Sequence, residues 1–275
     1  MKTISVKAEH SYQVEIGVEF SGVIRQICNS HRKVLLLASS SLIKQFKVKE
    51  LRNLFLLPTP NGESQKSVQF LDRIWRKAAS IGLERTDAMI GFGGGATTDV
   101  AGFAAATWLR GISWYAIPTS LAGMVDAGIG GKTGINSAAG KNLIGSFYSP
   151  KKVFIDPHFL ESLPKRDISA GMAEVIKCGF IADYKILNLV QEDILDYPQL
   201  IFRAVKVKAD VVSKDFKESK LREILNYGHT LGHAIEKDSK YKLRHGEAVS
   251  IGMIFAAELS KDLANLSEDA VLLHR

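Results

Sequence analysis

The chain has 275 residues, which is enough for one large domain or two smaller ones. Hydrophobic residues make up 46% of it and charged residues 24%, as in ordinary folded proteins, so the composition excludes a disordered chain. The net charge of +7 comes from 36 Lys and Arg scattered among 29 acidic residues, which argues against a nucleic-acid surface and favours small anionic ligands.

The N-terminus carries charged residues where a secretory signal needs an unbroken apolar run. No stretch of the sequence approaches the length of a membrane span, so no membrane partner is expected. Cys28 and Cys178 lie far apart and give no disulfide framework. Together these features predict a cytoplasmic protein.

Strand and helix signals alternate over the first part of the chain. Residues 3–20 alternate weakly between apolar and polar, as antiparallel edge strands do. Short apolar runs at 33–38 and 54–58 are typical of buried parallel strands, and a helical stripe follows at 63–80. This order favours a parallel sheet covered by helices. Further strands are predicted at 88–91, 114–117 and 153–155.

From about Asp167 onward, apolar residues recur at helical spacing and few strand signals remain. The segment 162–166 offers a boundary between the two patterns. The sequence therefore predicts an α/β domain at 1–165 followed by an all-helical domain at 166–275, and clefts between such domains are favoured ligand sites. The predicted helices of the second domain are 168–181, 186–194, 200–212, 221–235 and 248–263.

A glycine-rich segment at 91–99, GFGGGATTD, directly follows a predicted strand and opens a helix. Its backbone amides can approach a pyrophosphate with no side chain between them. The spacing differs from the usual dinucleotide fingerprint, so a simple tight turn is the alternative; the strand-loop-helix context favours nucleotide binding. Asp99, one helical turn in, could fix the loop or bond to a cofactor.

A second glycine cluster, DAGIGGKTGIN at 126–136 with GKN at 140–142, looks superficially like a phosphate loop of nucleotide triphosphatases. It lacks their spacing, because Gly130 and Gly131 directly precede Lys132. We therefore interpret it as an anion-binding loop flanked by Lys132 and Asn142.

Glu174 and Lys177 are one helical turn apart, and a solvated ion pair is the default explanation for them. Their neighbours are small or apolar, which suits a partly buried face better. Lys208, Glu218 and Arg222 follow and could equally be exterior charges.

Three of the seven histidines fall between residues 226 and 247. His229 and His233 are four apart, so on a helix they share one face and could approach a single Zn²⁺. His245 could return to the same ion across a polar turn. Clustered surface or core histidines are the alternative, and the third histidine favours a divalent metal, with Glu174 as the accompanying carboxylate and an open position for catalysis.

Six motifs in sequence together carry a resemblance to 3-dehydroquinate synthases over roughly residues 60–260. The resemblance implies a Rossmann-like NAD-binding domain joined to a helical metal-binding domain, one divalent ion (Zn²⁺ or Co²⁺) and a homodimer. It also implies conversion of 3-deoxy-D-arabino-heptulosonate 7-phosphate, a phosphorylated sugar acid, to 3-dehydroquinate and phosphate in the shikimate pathway. The motifs are GGGATTD (93–99), VDAGIGGKTGIN (125–136), GKNLIG (140–145), GMAEVIK (171–177), NYGHTLGHAIE (226–236) and HGEAV (245–249).

Carried over by motif, the metal ligands are Glu174, His229 and His245, while His233 contacts substrate beside the metal. Asp126 and Glu218 would orient the cations that hold the substrate. The implied substrate contacts are Arg110, Lys132, Asn142, Lys177, Lys208, Arg222, Asn226 and His233. The implied NAD contacts are Asn61, Glu63, Lys66, Gly95, Asp99, Thr119, Ser120, Lys132, Lys141, Phe159 and Ser162.

Arg222 and Asn226 are four apart, so we expect them to share a helical face leading to His229. Ser120 and Ser162 stand where the family often has Thr, and each keeps a hydroxyl. The sequence ends at Arg275, inside what resembles the helical domain, so we expect either a truncated sequence or a shortened member. The alternatives are another sugar-phosphate cyclase, a polyol dehydrogenase of the same architecture, and an inactive NAD-binding homologue.

Overall fold

A computed structural model gives the fold of the protein and describes residues 1–192 and 194–275. A seven-stranded sheet with the order β1-β2-β9-β6-β5-β3-β4 forms its first part, and β7 and β8 pair separately as a hairpin. Only β1 and β2 pair antiparallel in the large sheet; the other neighbours are parallel. The strands are β1 Lys2–Lys7, β2 Ser11–Ile16, β3 Val34–Ser39, β4 Leu54–Thr59, β5 Ala88–Gly93, β6 Ser113–Pro118, β7 Lys132–Ser137, β8 Gly140–Phe147 and β9 Lys152–Ile155.

The predicted strands are confirmed, and their burial follows their place in the sheet. β5 is buried at all six positions because strands flank it on both sides and helices cover both faces. β4, predicted to be a buried strand at 54–58, is instead the edge strand, and its burial is only partial. A run of apolar residues in the sequence does not by itself distinguish a central strand such as β5 from an edge strand such as β4.

Among the described residues, the first part of the chain contributes four helices that pack around this sheet. The predicted helix 63–80 begins later, at Val68, because the Ser67 side chain accepts from Phe70 N and caps it there. Residues Gly62–Gln65 form a separate 3₁₀ turn that lines the carboxyl edge of the sheet. The helices are α1 Phe20–Ser30, α2 Ser40–Gln45, α3 Val68–Ser80 and α4 Gly95–Thr107.

The predicted anion-binding loop at 126–136 is wrong in its secondary structure. A π-helical turn, Gly123–Ala127, leads into the β7–β8 hairpin. Lys132 begins β7, and Asn142 lies on β8. Gly134 and Gly145 face each other across the two strands. These glycines remove the apolar alternation by which a strand is recognised in sequence.

Among the described residues, six helices form the second part, one more than the five predicted, because the sequence does not predict α10. α7 packs against β1 and the π-helical turn, while α9 packs against α5 and α8. One hydrophobic core continues from the sheet into α5 and α7. None of the described helices is long and apolar enough to cross a membrane. The helices are α5 Lys165–Ile181, α6 Tyr184–Gln191, α7 Tyr197–Lys214, α8 His229–Asp238, α9 His245–Ala264 and α10 Glu268–Leu272.

The predicted continuous helix at 221–235 is wrong. Leu221–Asn226 is a 3₁₀ turn, and α8 starts only at His229. Gly228 separates them with φ of +78°, and a Cβ there would lie 2.6 Å from Met253 Cγ, so both the conformation and the close approach to α9 require glycine. Residue 193, inside the predicted helix 186–194, lies outside the described residues; α6 ends at Gln191.

Candidate active site

Glu174 on α5, His229 at the start of α8 and His245 at the start of α9 meet at one point. The Oε1 atom of Glu174 lies 3.3 Å from His245 Nε2 and 3.7 Å from His229 Nε2. One donor atom from each of the three residues lies within 4.8 Å of the other two. The Glu174 side chain is only 2% exposed, and among the described residues its Oε1 has no hydrogen-bond partner. A buried carboxylate oxygen that faces two imidazole nitrogens fits a divalent cation.

The second nitrogen of each histidine is already engaged. His229 Nδ1 lies 3.2 Å from the carbonyl oxygen of Tyr227, and His245 Nδ1 lies 3.0 Å from Glu236 Oε2. In the neutral form of each ring, Nδ1 donates to its oxygen, and Nε2 on the Glu174 side carries the lone pair that a cation would bind.

The electrostatics of the metal-free protein keep Glu174 ionised. Burial opposes its charge, but Lys177, His245 and His229 together outweigh burial and lower the pKa of Glu174 to about 2. Burial, with Lys177, lowers the pKa of His229 to about 4, so this imidazole is neutral. Burial also disfavours charge on His245, yet Glu174 and Glu236 raise its pKa to about 10. A cation binding there would therefore displace a proton from His245.

His233 lies beside this cluster rather than within it. Its ring centroid is 5.4 Å from that of His229, and its side chain is exposed. His233, Glu236 and His245 form a second group of donors within 4.8 Å. In that group, however, Glu236 is already bonded to His245 Nδ1, and His233 faces solvent. The buried, unpartnered oxygen of Glu174 makes the first group the better cation site.

Two lysines next to this cluster, Lys177 and Lys208, are buried. They are therefore not charges on the exterior of the protein, which was the alternative left open by the sequence. Lys177 pairs with Glu174, and each side chain is 2% exposed. Lys208 on α7 is 6% exposed and pairs with the Asp126 carboxylate. Burial opposes ionisation of Asp126, but Lys208 and then Lys177 hold its pKa below the ordinary value. The two cations thus lie in a low-dielectric wall beside the histidines, where an incoming anion would interact strongly.

Arg222 and Asn226 do not share a face, contrary to the sequence prediction. A 3₁₀ turn has three residues per turn, so residues four apart diverge. Arg222 is 1% exposed and donates to the carbonyl oxygens of Gly130 (3.3 Å) and Phe216 (2.6 Å). Asn226 is exposed and donates to Glu218 Oε1 at 3.1 Å. Glu218 also pairs with Lys132, which brings the two parts of the chain together.

A cleft of about 310 Å³ lies at the carboxyl ends of β3, β4 and β5. It is lined by Asn61, Glu63 and Gly95, among others, and α4 begins there with its free backbone amides. A Cβ on Gly95 would lie 2.8 Å from Ala127 Cβ, so a larger residue would fill the turn. The cleft therefore fits the phosphate end of a dinucleotide.

Lys66 directly follows Gln65, which lines the cleft, and connects α4 with the β7–β8 hairpin. It is 4% exposed and donates to Asp99 Oδ2 at 2.6 Å and to the side-chain oxygen of Asn142. Burial raises the pKa of Asp99 to about 6, although Lys66 opposes the shift. Asn142, expected at the substrate, is thus joined to residues expected at NAD.

The remaining residues expected at NAD are spread over several contacts. Thr119 N donates to Gly93 O at 2.9 Å, and Ser120 Oγ accepts from Gly123 N at 3.2 Å, so both lie beside the glycine turn. Ser162 Oγ donates to Phe159 O at 3.0 Å. The Phe159 ring is buried in the core, 5.4 Å from the Phe92 ring, so its side chain faces away from the cleft.

Lys141 and Arg110 lie away from the cleft. Lys141 Nζ is 3.5 Å from Glu236 Oε1, which directs it toward the helical part. Arg110 is exposed and follows α4 at the end opposite the glycine turn, a helix length of about 20 Å away. The structure does not bring Arg110 to the metal cluster of its own chain.

Comparison with known sequences decides the family. The family profile described as "3-dehydroquinate synthase N-terminal" matches residues 56–170, and "3-dehydroquinate synthase C-terminal" matches residues 171–274. A 3-dehydroquinate synthase from Mycobacterium leprae is 48% identical, with 99% of this chain and 79% of that protein aligned. A 3-dehydroquinate synthase from Corynebacterium diphtheriae is 45% identical, with 100% of this chain and 81% of that protein aligned. The chain belongs to the 3-dehydroquinate synthase family.

Solved structures agree with this membership in the 3-dehydroquinate synthase family. A 2-deoxy-scyllo-inosose synthase, solved with carbaglucose-6-phosphate, NAD⁺ and Co²⁺, superposes with a TM-score of 0.90 at 28% identity over 99% of this chain and 81% of its own. The 2-epi-5-epi-valiolone synthase of Streptomyces hygroscopicus, solved with NAD⁺ and Zn²⁺, superposes with a TM-score of 0.85 at 26% identity. The match covers 98% of this chain and 80% of that one. A probable glycerol dehydrogenase from Sinorhizobium meliloti shares the fold alone, with a TM-score of 0.70 at 15% identity over 98% of this chain and 81% of its own. The predicted fold class, an α/β domain followed by a helical one, is confirmed.

Sequence reasoning did not identify two residues of the candidate site of this 3-dehydroquinate synthase family member. Glu236 bonds His245, and Tyr12 Oη accepts from Gly130 N at 3.0 Å, next to the carbonyl that holds Arg222. Glu236 had a signal, since it lies three residues after His233 on the same helix. Tyr12 had none, because it comes from a strand 118 residues before Gly130.

Proposed function

We propose that this chain is an NAD- and metal-dependent lyase that converts 3-deoxy-D-arabino-heptulosonate 7-phosphate to 3-dehydroquinate and phosphate. The observation that carries the proposal is the cluster of Glu174, His229 and His245 set directly against two buried lysines, within a chain 48% identical to a 3-dehydroquinate synthase over nearly its whole length. A metal alone would suit a dehydrogenase. Buried cations beside it suit a substrate that carries phosphate and carboxylate groups.

Glu174, His229 and His245 would hold the divalent cation, Zn²⁺ or Co²⁺. NAD would occupy the cleft formed by Asn61, Glu63, Gly95 and the start of α4, and Lys66 and Asp99, which bond to each other, would be among its contacts. When bound, the cation polarises substrate oxygens, and NAD takes up and returns a hydride, so that the cofactor ends unchanged.

The chain's own residues would bind and orient the anionic substrate. Lys177 and Lys208 are already ordered by Glu174 and Asp126, so they lose little further conformational freedom when they meet the substrate. Their burial also excludes water from the oxygens they contact, which strengthens each charge-assisted hydrogen bond. His233, exposed beside the cluster, would hold or pass a proton at the substrate. Lys132, Asn142, Arg222 and Asn226 would complete the substrate contacts, with Glu218 orienting Lys132 and Asn226.

Ser120, Thr119, Lys141, Ser162 and the backbone of Phe159 are proposed at NAD on the strength of the resemblance. Lys132 is proposed at both ligands. Arg110 would have to reach a site other than that of its own chain, since it lies at the far end of α4.

The chief competing activity is a sugar-phosphate cyclase that acts on a different substrate. Two such cyclases superpose well but share only 26–28% identity with this chain, against 45–55% for the 3-dehydroquinate synthases. That difference supports heptulosonate phosphate over a hexose phosphate. We also propose a cytoplasmic homodimer, as the resemblance implies; light scattering on the purified protein would measure the mass.

The test is product analysis with purified protein, NAD and Zn²⁺ or Co²⁺. We expect phosphate and 3-dehydroquinate from the heptulosonate phosphate and neither phosphate release nor a cyclic ketone from glucose 6-phosphate. Lys208→Met should lose nearly all of this activity. Lys185→Met removes a lysine at an exposed position of α6 and should keep it. Turnover of glucose 6-phosphate instead would assign the chain to the other cyclases.

A further inference from the structure

Glu236 on α8 connects the metal cluster with the β7–β8 hairpin. Its side chain is 9% exposed, and each of its oxygens has a partner. Oε2 lies 3.0 Å from His245 Nδ1, and Oε1 lies 3.5 Å from Lys141 Nζ. Lys141 itself lies over the Tyr241 ring, 3.7 Å from its centroid. The carboxylate is therefore held from two sides rather than free to rotate.

The two histidines of the cluster are oriented in different ways. His229 is fixed by the backbone carbonyl of Tyr227, which no side-chain substitution removes. His245 has no such backbone contact among the described residues, and its Nδ1 depends on the Glu236 carboxylate. The orientation of His245 Nε2, 3.3 Å from Glu174 Oε1, thus depends on one replaceable side chain.

We propose that Glu236 is a positioning residue for the metal centre. Its carboxylate accepts a hydrogen bond from Nδ1–H of His245. This bond fixes the ring orientation and the tautomer whose Nε2 lone pair is available to the cation, and it increases the donor strength of that nitrogen. Lys141 holds the other carboxylate oxygen and so sets the angle from which Glu236 meets the ring. The inference rests on the metal site proposed above.

The same residues admit one other arrangement, in which Glu236 binds the cation directly together with His233 and His245. Direct ligation would require Glu236 to release His245 Nδ1 and would leave the buried Glu174 Oε1 without a partner. The two arrangements predict opposite effects for substitutions at His229 and Glu236.

The experiment measures the Kd of the metal-free full chain for Co²⁺ and Zn²⁺ by chelator competition, with the visible absorption of bound Co²⁺ as a second readout. Loss of an outer partner of this kind typically weakens metal affinity about 10–100-fold. We expect Glu236→Ala to raise Kd by that factor and to shift the Co²⁺ spectrum. Glu236→Gln keeps an acceptor without the charge and should fall in between.

Glu223→Gln is the matched control, because it makes the same chemical change at an exposed position of the 3₁₀ turn; its Kd should equal that of the wild type. Circular dichroism and NAD binding at the other cleft show that each variant is folded. A wild-type Kd and Co²⁺ spectrum in folded Glu236→Ala would overturn the positioning role. So would complete loss of metal in Glu236→Gln while His229→Ala keeps it. If the wild type itself bound neither ion, the proposed metal site would fall with it.

Discussion

A single methyl group at Gly246 should disturb both stability and metal binding. Gly246 follows His245 in the first turn of α9, and a Cβ there would lie 1.7 Å from the carbonyl oxygen of Ala170 on α5, half of the 3.4 Å at which ordinary contact begins. Neither backbone can yield locally, so α5 and α9 must separate. Glu174, one turn beyond Ala170, and His245 must move apart with them.

Overpacking of this kind costs about 1–3 kcal/mol. For a chain of this size, Gly246→Ala should therefore lower Tm by roughly 2–12 °C. Metal donors tolerate displacements of only about 0.5 Å, so Kd for Zn²⁺ should also rise at least about tenfold, equivalent to 1.4 kcal/mol. Calorimetry of the metal-free protein and chelator competition measure the two effects separately.

Gly22→Ala provides the matched control. Gly22 lies in α1, and an added Cβ would meet nothing within 4 Å. The same substitution there should stabilise the fold by about 0.4–1 kcal/mol and leave Kd for Zn²⁺ unchanged. If Gly246→Ala kept both the wild-type Tm and the wild-type Kd, the close packing of α5 on α9 would be wrong, and with it the geometry of the cluster.

His229→Ala should abolish stoichiometric Zn²⁺ binding while His233→Ala retains it, because His229 belongs to the donor group of Glu174 and His233 does not. Metal analysis after dialysis decides, and the reverse result would move the ion to the group of His233, Glu236 and His245. Arg222→Ala should lower the free energy of unfolding by about 1.5–3 kcal/mol, since it leaves the buried carbonyl group of Gly130 and the partly buried one of Phe216 without their charged donor; an unchanged denaturation midpoint would contradict this. Asp215 accepts from Ser219 N, Lys220 N and Arg222 N, and these backbone donors hold its pKa below the ordinary value, so its contribution is present above about pH 4 and lost as pH falls further. The Tm difference between wild type and Asp215→Ala should accordingly shrink between pH 7 and pH 3, and a constant difference would contradict the assignment.

The parallel sheet could be predicted because its central strands are short runs of apolar residues in the sequence. β3 and β5 are buried on both faces, and a continuous run is the direct consequence of that burial. The β7–β8 hairpin could not be found in this way. Most of β8 is exposed, and the facing residues Gly134 and Gly145 interrupt the apolar pattern of both strands. Glycine there indicated a loop, although the chain is extended.

The composition of the site was easier to predict than its geometry. Spacing brought His229 and His233 together correctly, but it could not show that His245 from another helix lies closer to Glu174. That depends on how closely α9 approaches α5. Burial of Lys177 and Lys208 was equally hidden, because a sequence shows the charge of a lysine but not the carboxylate that faces it in the folded chain.

The most direct test of the proposed activity is the stoichiometry of turnover with a single equivalent of NAD per site. The metal-loaded protein would receive an excess of 3-deoxy-D-arabino-heptulosonate 7-phosphate while phosphate, 3-dehydroquinate and NADH absorbance are followed together. We predict many turnovers, equal amounts of phosphate and 3-dehydroquinate, and no accumulation of NADH, because the hydride returns in each cycle. Accumulation of NADH in proportion to substrate consumed, with no phosphate released, would show a simple dehydrogenase and contradict the proposal.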